Sequence, residues 1–421
     1  MDIQQIRSHF PSLKSGAIFL DNPAGTQVSQ GVIDAMTDYY LTSNSNSHGA
    51  FLTSRRTDET VGRGRAAFAD FFNARSPDEI AFGPNMTTLT FSLSRALGRT
   101  IQPGDEIIVT RLDHDANISP WLALAERGAV IKWVDIDPED CTLDQNDFEK
   151  QLSHKTKIVA VGYASNATGT INPIKAMIDL AHMAGALVFV DAVHAAPHVA
   201  IDVQELNCDF LACSAYKFYG PHLGVLYGKR EWLDRLTPYK VRPASNDSPD
   251  KFETGTANFE GIAGATAAVD YLAWVGKELG NKGTIGTEGT EGTEGMHGIS
   301  ARRMELVRAM SVIKTYESQL CARLLRGLLD VKGIEIYGIT DFDRLADRAP
   351  TIALNLQGHA PGEIAKKLGE QNIYVWDGNY YALAVMERLG LEGRGGAVRV
   401  GLAHYNTAEE VDRLLDALKR M

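Results

Sequence analysis

Short runs of Val, Ile, Leu and Ala recur between Glu79 and Gly228, among them DEIIVT, KIVAVGYAS, ALVFVDA and DFLACSA, and most are separated by stretches with helical spacing of apolar residues. Several of the runs lack strict alternation of apolar and polar positions, which predicts strands buried on both faces. Such strands need helices above and below a mostly parallel sheet, so the pattern predicts an α/β domain. In sheets of this kind ligands gather at the carboxyl ends of the strands. Next comes GNKGTIGTEGTEGTEGMHGIS, too polar and glycine-rich to bury a face, and expected as a flexible surface insertion. A long helical pattern from Ala301, strands in IEIYG, TIALNLQG, IYVW and AVRVGLA, and helices in GEIAKKLGEQ and TAEEVDRLLDALKRM then describe a compact α+β unit. The expected organisation is an N-terminal segment 1–20 packing with the smaller unit, a large domain 21–275, the insertion 276–300 and a small C-terminal domain 301–421.

Composition narrows the function classes. The 421 residues are 44% hydrophobic and 23% charged, as in an ordinary globular protein, and no apolar run reaches membrane-spanning length. The start, MDIQQIRSHFPSL, lacks a basic region followed by an apolar one, so a cytoplasmic location is expected, with no membrane partner. A net charge of -11 without a Lys/Arg-rich block argues against nucleic acid. Cys141, Cys208, Cys213 and Cys321 show neither a disulfide framework nor a CxxC spacing, and are expected as buried, reduced thiols. VGRGRAA follows polar RRTDET where a dinucleotide loop requires a strand, so it is set aside.

Two residues in this apolar landscape need explaining. Asp191 ends the run VFVD, where a carboxylate is costly unless something cationic meets it. Lys217, in CSAYKFYGPHLG, closes the neighbouring predicted strand. The pair reads either as a buried ion pair or as the two handles of a pyridoxal 5'-phosphate site, in which a lysine binds the aldehyde and a carboxylate keeps the pyridine nitrogen protonated. The second reading makes demands that the chain meets. Thr87 and Thr88 open a predicted helix, where free N–H groups favour a phosphate or a simple N-cap, and Ser214 adds a hydroxyl from the Lys217 corner. His114 and Asn166 both follow apolar strands and suit a stacking partner and a donor to the phenolic oxygen. Asp113, His114, Asp115, His194 and His198 also allow a metal-dependent hydrolase, although Pro197 spoils the spacing of HAAPH.

Across FLDNPAGTQ, DEIAFGPNMTT, DHDANISPW, SNATGTINP, VDAVHAAPH, SAYKFYGPHLGVLYG, FETGTANFEG and VRVGLAHYNTAEE, the chain resembles the class V aminotransferases of pyridoxal phosphate fold type I, and among them the cysteine desulfurase and selenocysteine lyase group. The resemblance implies an enzyme, a transferase or a lyase, with Lys217 as Schiff-base lysine, Asp191 as pyridinium partner, His114 as stacking imidazole and Asn166 beside the ring oxygen and substrate. It also implies phosphate contacts from Thr87, Thr88 and Ser214, a Thr256 that reaches the phosphate of the other subunit in a homodimer with shared active sites, and an Arg399 that holds the carboxylate of a small amino-acid substrate. His194 and Tyr216 stand where desulfurases carry glutamine and histidine, and both keep hydrogen-bonding ability beside the cofactor. His48 and Tyr381 are further candidates for substrate contact. The loop DGNYYALAVMERLGLEGRGG departs most, because the nucleophilic cysteine of a desulfurase is absent from it. Persulfide formation needs a thiolate, so the expectation is elimination, transamination or epimerisation instead. A cofactor-binding regulatory protein without turnover is the remaining alternative.

Overall fold

The computed structural model describes residues 2–280 and 300–421, and the Gly/Thr/Glu stretch lies almost entirely outside them, at 281–299. Thirteen strands follow in chain order: β1 (Ile18–Phe19), β2 (Ile80–Gly83), β3 (Glu106–Thr110), β4 (Val130–Val134), β5 (Thr156–Gly162), β6 (Leu187–Asp191), β7 (Phe210–Ser214), β8 (Gly224–Gly228), β9 (Ile334–Tyr337), β10 (Thr351–Leu356), β11 (Ile373–Tyr374), β12 (Trp376–Gly378) and β13 (Ala397–Gly401). A seven-stranded sheet runs β2-β8-β7-β6-β5-β3-β4, with β8 antiparallel to both its neighbours and the other pairings parallel. Its central strands are apolar on both faces because each face is covered: Val159, Val161, Val188 and Val190 belong to one buried cluster, Ile158, Ala160 and Phe189 to another. The result is an α/β large domain sandwiched by helices, with a smaller C-terminal α+β domain built on the antiparallel sheet β12-β13-β10-β9.

Two helices frame the junction of the sheets. Phe259–Leu279 buries one long apolar face against Ala301–Leu329 so closely that a Cβ at Gly276 would meet the Glu305 carbonyl. Near the N-terminus, β1 pairs in parallel with β11, tying the first residues to the smaller domain. The segment IYVW is accordingly divided: Ile373 and Tyr374 join β1, whereas Trp376 pairs with Arg399 of the four-stranded sheet. VGRGRAA lies inside the helix Leu52–Phe72, so it forms no phosphate loop.

Candidate active site

The carboxyl ends of β5, β6 and β7 and the turn Ala215–Lys217 open into two adjoining cavities of about 670 and 900 Å³ that share Lys217, His114, Asn166, Thr87 and Tyr216. Parallel pairing sets Asp191 opposite Ala212, which places the acid one strand away from the chain that delivers the lysine. Asp191 is buried and accepts from Val193 N at 2.9 Å, closing a tight local turn. Burial pushes its carboxyl up to about 6, against the pull of that N–H and of Lys217. Lys217 Nζ donates to the Pro23 carbonyl and lies 4.8 Å from the centre of the Tyr216 ring. Desolvation first, then the nearby Arg399 charge, lowers its ammonium to about 7, while Asp191 and Asp21 act the other way.

An anion cradle occupies the inner cavity. Asn85 caps the helix Met86–Leu97 by accepting from Thr88 N at 2.8 Å. Ser214 Oγ accepts from Met86 N at 2.9 Å, which leaves the hydroxyl proton free to donate. Among the described residues no hydrogen bond engages the Thr87 N–H, and the helix dipole adds to its pull on an anion. His194 lines the same cavity, nearly fully buried, with Nε2 unpartnered, and burial holds its ring neutral.

His114 Nδ1 accepts from Ala116 N at 3.0 Å, so the proton of the neutral ring belongs on Nε2. Burial, reinforced by Lys217 and Arg399, lowers this imidazole to about 4. Arg399, on β13, is buried under the Tyr380 ring at 4.4 Å, donates through Nη1 to the Asn166 carbonyl at 2.9 Å, and leaves Nε unpartnered. Burial lowers its guanidinium to about 10, so it stays cationic at neutral pH. Asn166 in turn donates through Nδ2 to the Tyr380 carbonyl at 3.0 Å and keeps Oδ1 unpartnered.

Tyr380 and Tyr381 both have left-handed backbones, with φ of 53° and 57°. Such a conformation costs a non-glycine residue of order 1 kcal/mol and persists only where neighbours fix it. Here Asn166 holds the first carbonyl, Asp115 N donates to the second at 2.6 Å, and the Tyr381 ring stacks on His114 at 5.7 Å. Sequence reasoning named the NYY loop and Tyr381 as candidates for substrate contact but gave Tyr380 no role of its own, because nothing local places its ring over Arg399. It also missed Pro23 as the partner of Lys217, although FLDNPAGTQ drew attention to the segment.

Of the residues singled out beforehand, Lys217, Asp191, His114, Asn166, Thr87, Thr88, Ser214, His194, Tyr216, Arg399 and Tyr381 all line these two cavities, whereas His48 and Thr256 lie on the exposed surface outside them. Asp113 is no metal ligand: its oxygens accept from Thr110 Oγ1, Gly162 N and Asn117 Nδ2 at 2.9, 2.9 and 2.7 Å. Among the described residues no group of three His, Cys, Asp or Glu side chains is placed to hold a metal ion. The donor set fits pyridoxal phosphate instead. A helix N-terminus with hydroxyls would suit the phosphate, a buried carboxylate a cationic ring nitrogen and a lysine an aldehyde; the orphaned His194 Nε2 can donate to a phenolic oxygen, whereas Asn166, expected as that donor, spends Nδ2 on Tyr380 and presents only its acceptor Oδ1.

Known proteins bear on the same point. The sequence profile of the family Aminotransferase class-V matches residues 18–285 and 281–414. A probable cysteine desulfurase of Mycolicibacterium paratuberculosis is 34% identical over 441 residues; the alignment takes in 100% of this chain, which spans 58% of that protein's length. A cysteine desulfurase of Pectobacterium atrosepticum is 34% identical over 439 residues, covering 100% of this chain and 98% of its own length. The apo structure of a cysteine desulfurase from Thermococcus onnurineus superposes with a TM-score of 0.85 at 28% identity, covering 99% of this chain and 97% of the other.

Proposed function

Since the chain belongs to the class V aminotransferases, and is thereby a pyridoxal-phosphate-dependent, cysteine desulfurase-like enzyme, we propose that it transforms an amino acid at Lys217 without forming a protein persulfide, as a carbon–sulfur lyase, an aminotransferase or an epimerase. One observation carries the reading: the segment Asp377–Gly396 contains no cysteine, and its Tyr380 and Tyr381 wall the cavity instead. The four thiols are all buried. Burial pushes Cys141 up to about 12 and Cys213 well above the usual thiol range, so neither supplies a thiolate at neutral pH.

The cofactor supplies an electron sink for charge developing at Cα. The chain's residues do the rest. With its ammonium lowered to about 7, the Lys217 amine is substantially neutral at physiological pH, as a nucleophile toward an aldehyde and a base toward a Cα proton must be. Asp191 would balance positive charge on the ring nitrogen, the Met86–Leu97 helix with Thr87, Thr88 and Ser214 would hold the phosphate, and the neutral His114 ring would cover one face. His194, Asn166 and Tyr216 supply polar contacts beside Lys217. Arg399 offers the substrate carboxylate a buried fork of donors. A binding protein without turnover has no use for this lysine, acid and arginine in one cavity.

The active species in this reading is a two-fold homodimer in the cytoplasm, with Thr256 and His48 reaching the partner's cavity. Both are exposed and outside their own cavity, and Tyr40, Leu41, Phe51 and Leu52 form exposed apolar positions around the His48 loop. Free thiols accord with a reducing compartment, and among the described residues no helix is long and apolar enough to cross a membrane.

The experiment is to supply L-cysteine to the holoenzyme and analyse products. Sulfide with equimolar pyruvate and ammonia, and no protein persulfide, is expected of the lyase. Stoichiometric alanine with a persulfide that disappears in Cys213→Ser contradicts the proposal. Inert cysteine, with an amino acid that does exchange its Cα proton or amino group, selects the epimerase or aminotransferase.

A further inference from the structure

We infer that the amino acid this cavity favours carries a cation, an amino or guanidinium group, at the end of its side chain; the inference rests on the reading proposed above and concerns the same site. The outer cavity is polarised. Arg399 makes its floor cationic, and the unpartnered Nε of Arg399 is buried there. Asp115, Asp377 and Glu392 make its mouth anionic. Among the described residues none of the three acids is in an ion pair. Arg111 and Arg388, four residues before Asp115 and Glu392, are paired with Asp135, and Arg394, two residues past Glu392, lines a separate cavity with Glu335. Asp115 accepts from Ser119 Oγ at 2.5 Å and Glu392 from Asn379 Nδ2 at 3.1 Å, both neutral donors that orient the carboxylates without cancelling their charge.

Aromatic side chains line the same cavity as these acids. Phe91 is half-buried in the wall, while Trp376 and Tyr381 are 51% and 74% exposed at the mouth. Aromatic faces beside carboxylates are a setting that attracts an organic cation more than a neutral or anionic group. The gradient also fixes orientation: a substrate carboxylate on Arg399 sends its side chain away from the cationic floor and toward the acids. A cysteine side chain is too short to use that mouth, within a cavity of about 900 Å³. A glutamate side chain meets three like charges. A phenylalanine side chain finds aromatic walls but leaves the acids unanswered.

The test measures binding to the holoenzyme through the cofactor's visible absorbance band. Arginine against citrulline, and lysine against norleucine, are pairs of similar shape that differ by one charge; phenylalanine, glutamate and cysteine complete the series. The charged member of each pair is expected to bind about tenfold more tightly, an advantage that shrinks severalfold in about 0.5 M salt because the mouth is open to solvent. It shrinks likewise in Asp377→Asn/Glu392→Gln. Asp377→Asn alone serves if the double variant loses cofactor. Equal binding within the pairs, tighter binding of phenylalanine or cysteine, or a preference untouched by salt and by the variants overturns the side-chain assignment and leaves the role of Lys217 standing. A cofactor-loaded protein whose band responds to no amino acid overturns both.

Discussion

At Lys217 the cost of burial is also what makes the residue chemically useful. Its folded-state value of about 7 lies below the 10.5 of a free lysine, so between these pH values the unfolded chain holds a proton that the folded chain has released. Burying the amine therefore weakens the apoprotein most fully below pH 7, and the loss is recovered as pH rises toward 10.5. The same shift governs capture of the cofactor, because only the neutral amine attacks an aldehyde. Stopped-flow absorbance of apoprotein mixed with pyridoxal phosphate is expected to show a capture rate that climbs between about pH 6 and 8 and then levels off. A rate still climbing steeply above pH 9 indicates an unperturbed lysine. Lys217 and Asp191 were legible in the sequence because a charge at the end of an apolar strand demands a partner. Tyr380 was not, since its place over Arg399 and its left-handed backbone are imposed by Asn166, more than two hundred residues away.

Among the elements, β8 and the helix Met86–Leu97 meet without room for a side chain. A Cβ at Gly224 would stand 2.4 Å from the Asn85 backbone carbon, and Asn85 is the residue that caps the anion cradle. Gly224→Ala is therefore expected to displace the helix N-terminus and weaken cofactor affinity at least about tenfold. Fluorescence titration with pyridoxal phosphate reads this, and far-ultraviolet circular dichroism checks that the fold is retained; unchanged affinity removes the cradle from the account. The buried runs of β3, β5, β6 and β7 were readable as strands because helices cover both faces of the sheet and confine polar residues to the strand ends. The division of IYVW between two sheets was not. Each piece is two or three residues long, and its partner strand, β1 or β13, is chosen by tertiary packing.

At the scale of the molecule, the site is built from the ends of distant segments, and a second copy is proposed to cover exposed surface outside it. Sedimentation is expected to give a dimer, and Leu41→Glu/Phe51→Glu to dissociate it with loss of turnover, because each cavity then lacks the partner's Thr256 and His48. Full activity in a monomer contradicts the shared site. The order of motifs along the chain was what made this architecture legible. The polarity of the outer cavity was not, because Asp115, Asp377 and Glu392 converge only when the smaller domain docks on the large one. The most direct test of the central claim is borohydride reduction of the holoenzyme followed by peptide mass mapping, performed with and without a saturating amino acid. The cofactor mass is expected on the Lys217 peptide in the free enzyme, and its loss from that peptide when the amino acid is present. Attachment to another lysine, or a Lys217 label that no amino acid displaces, contradicts that claim.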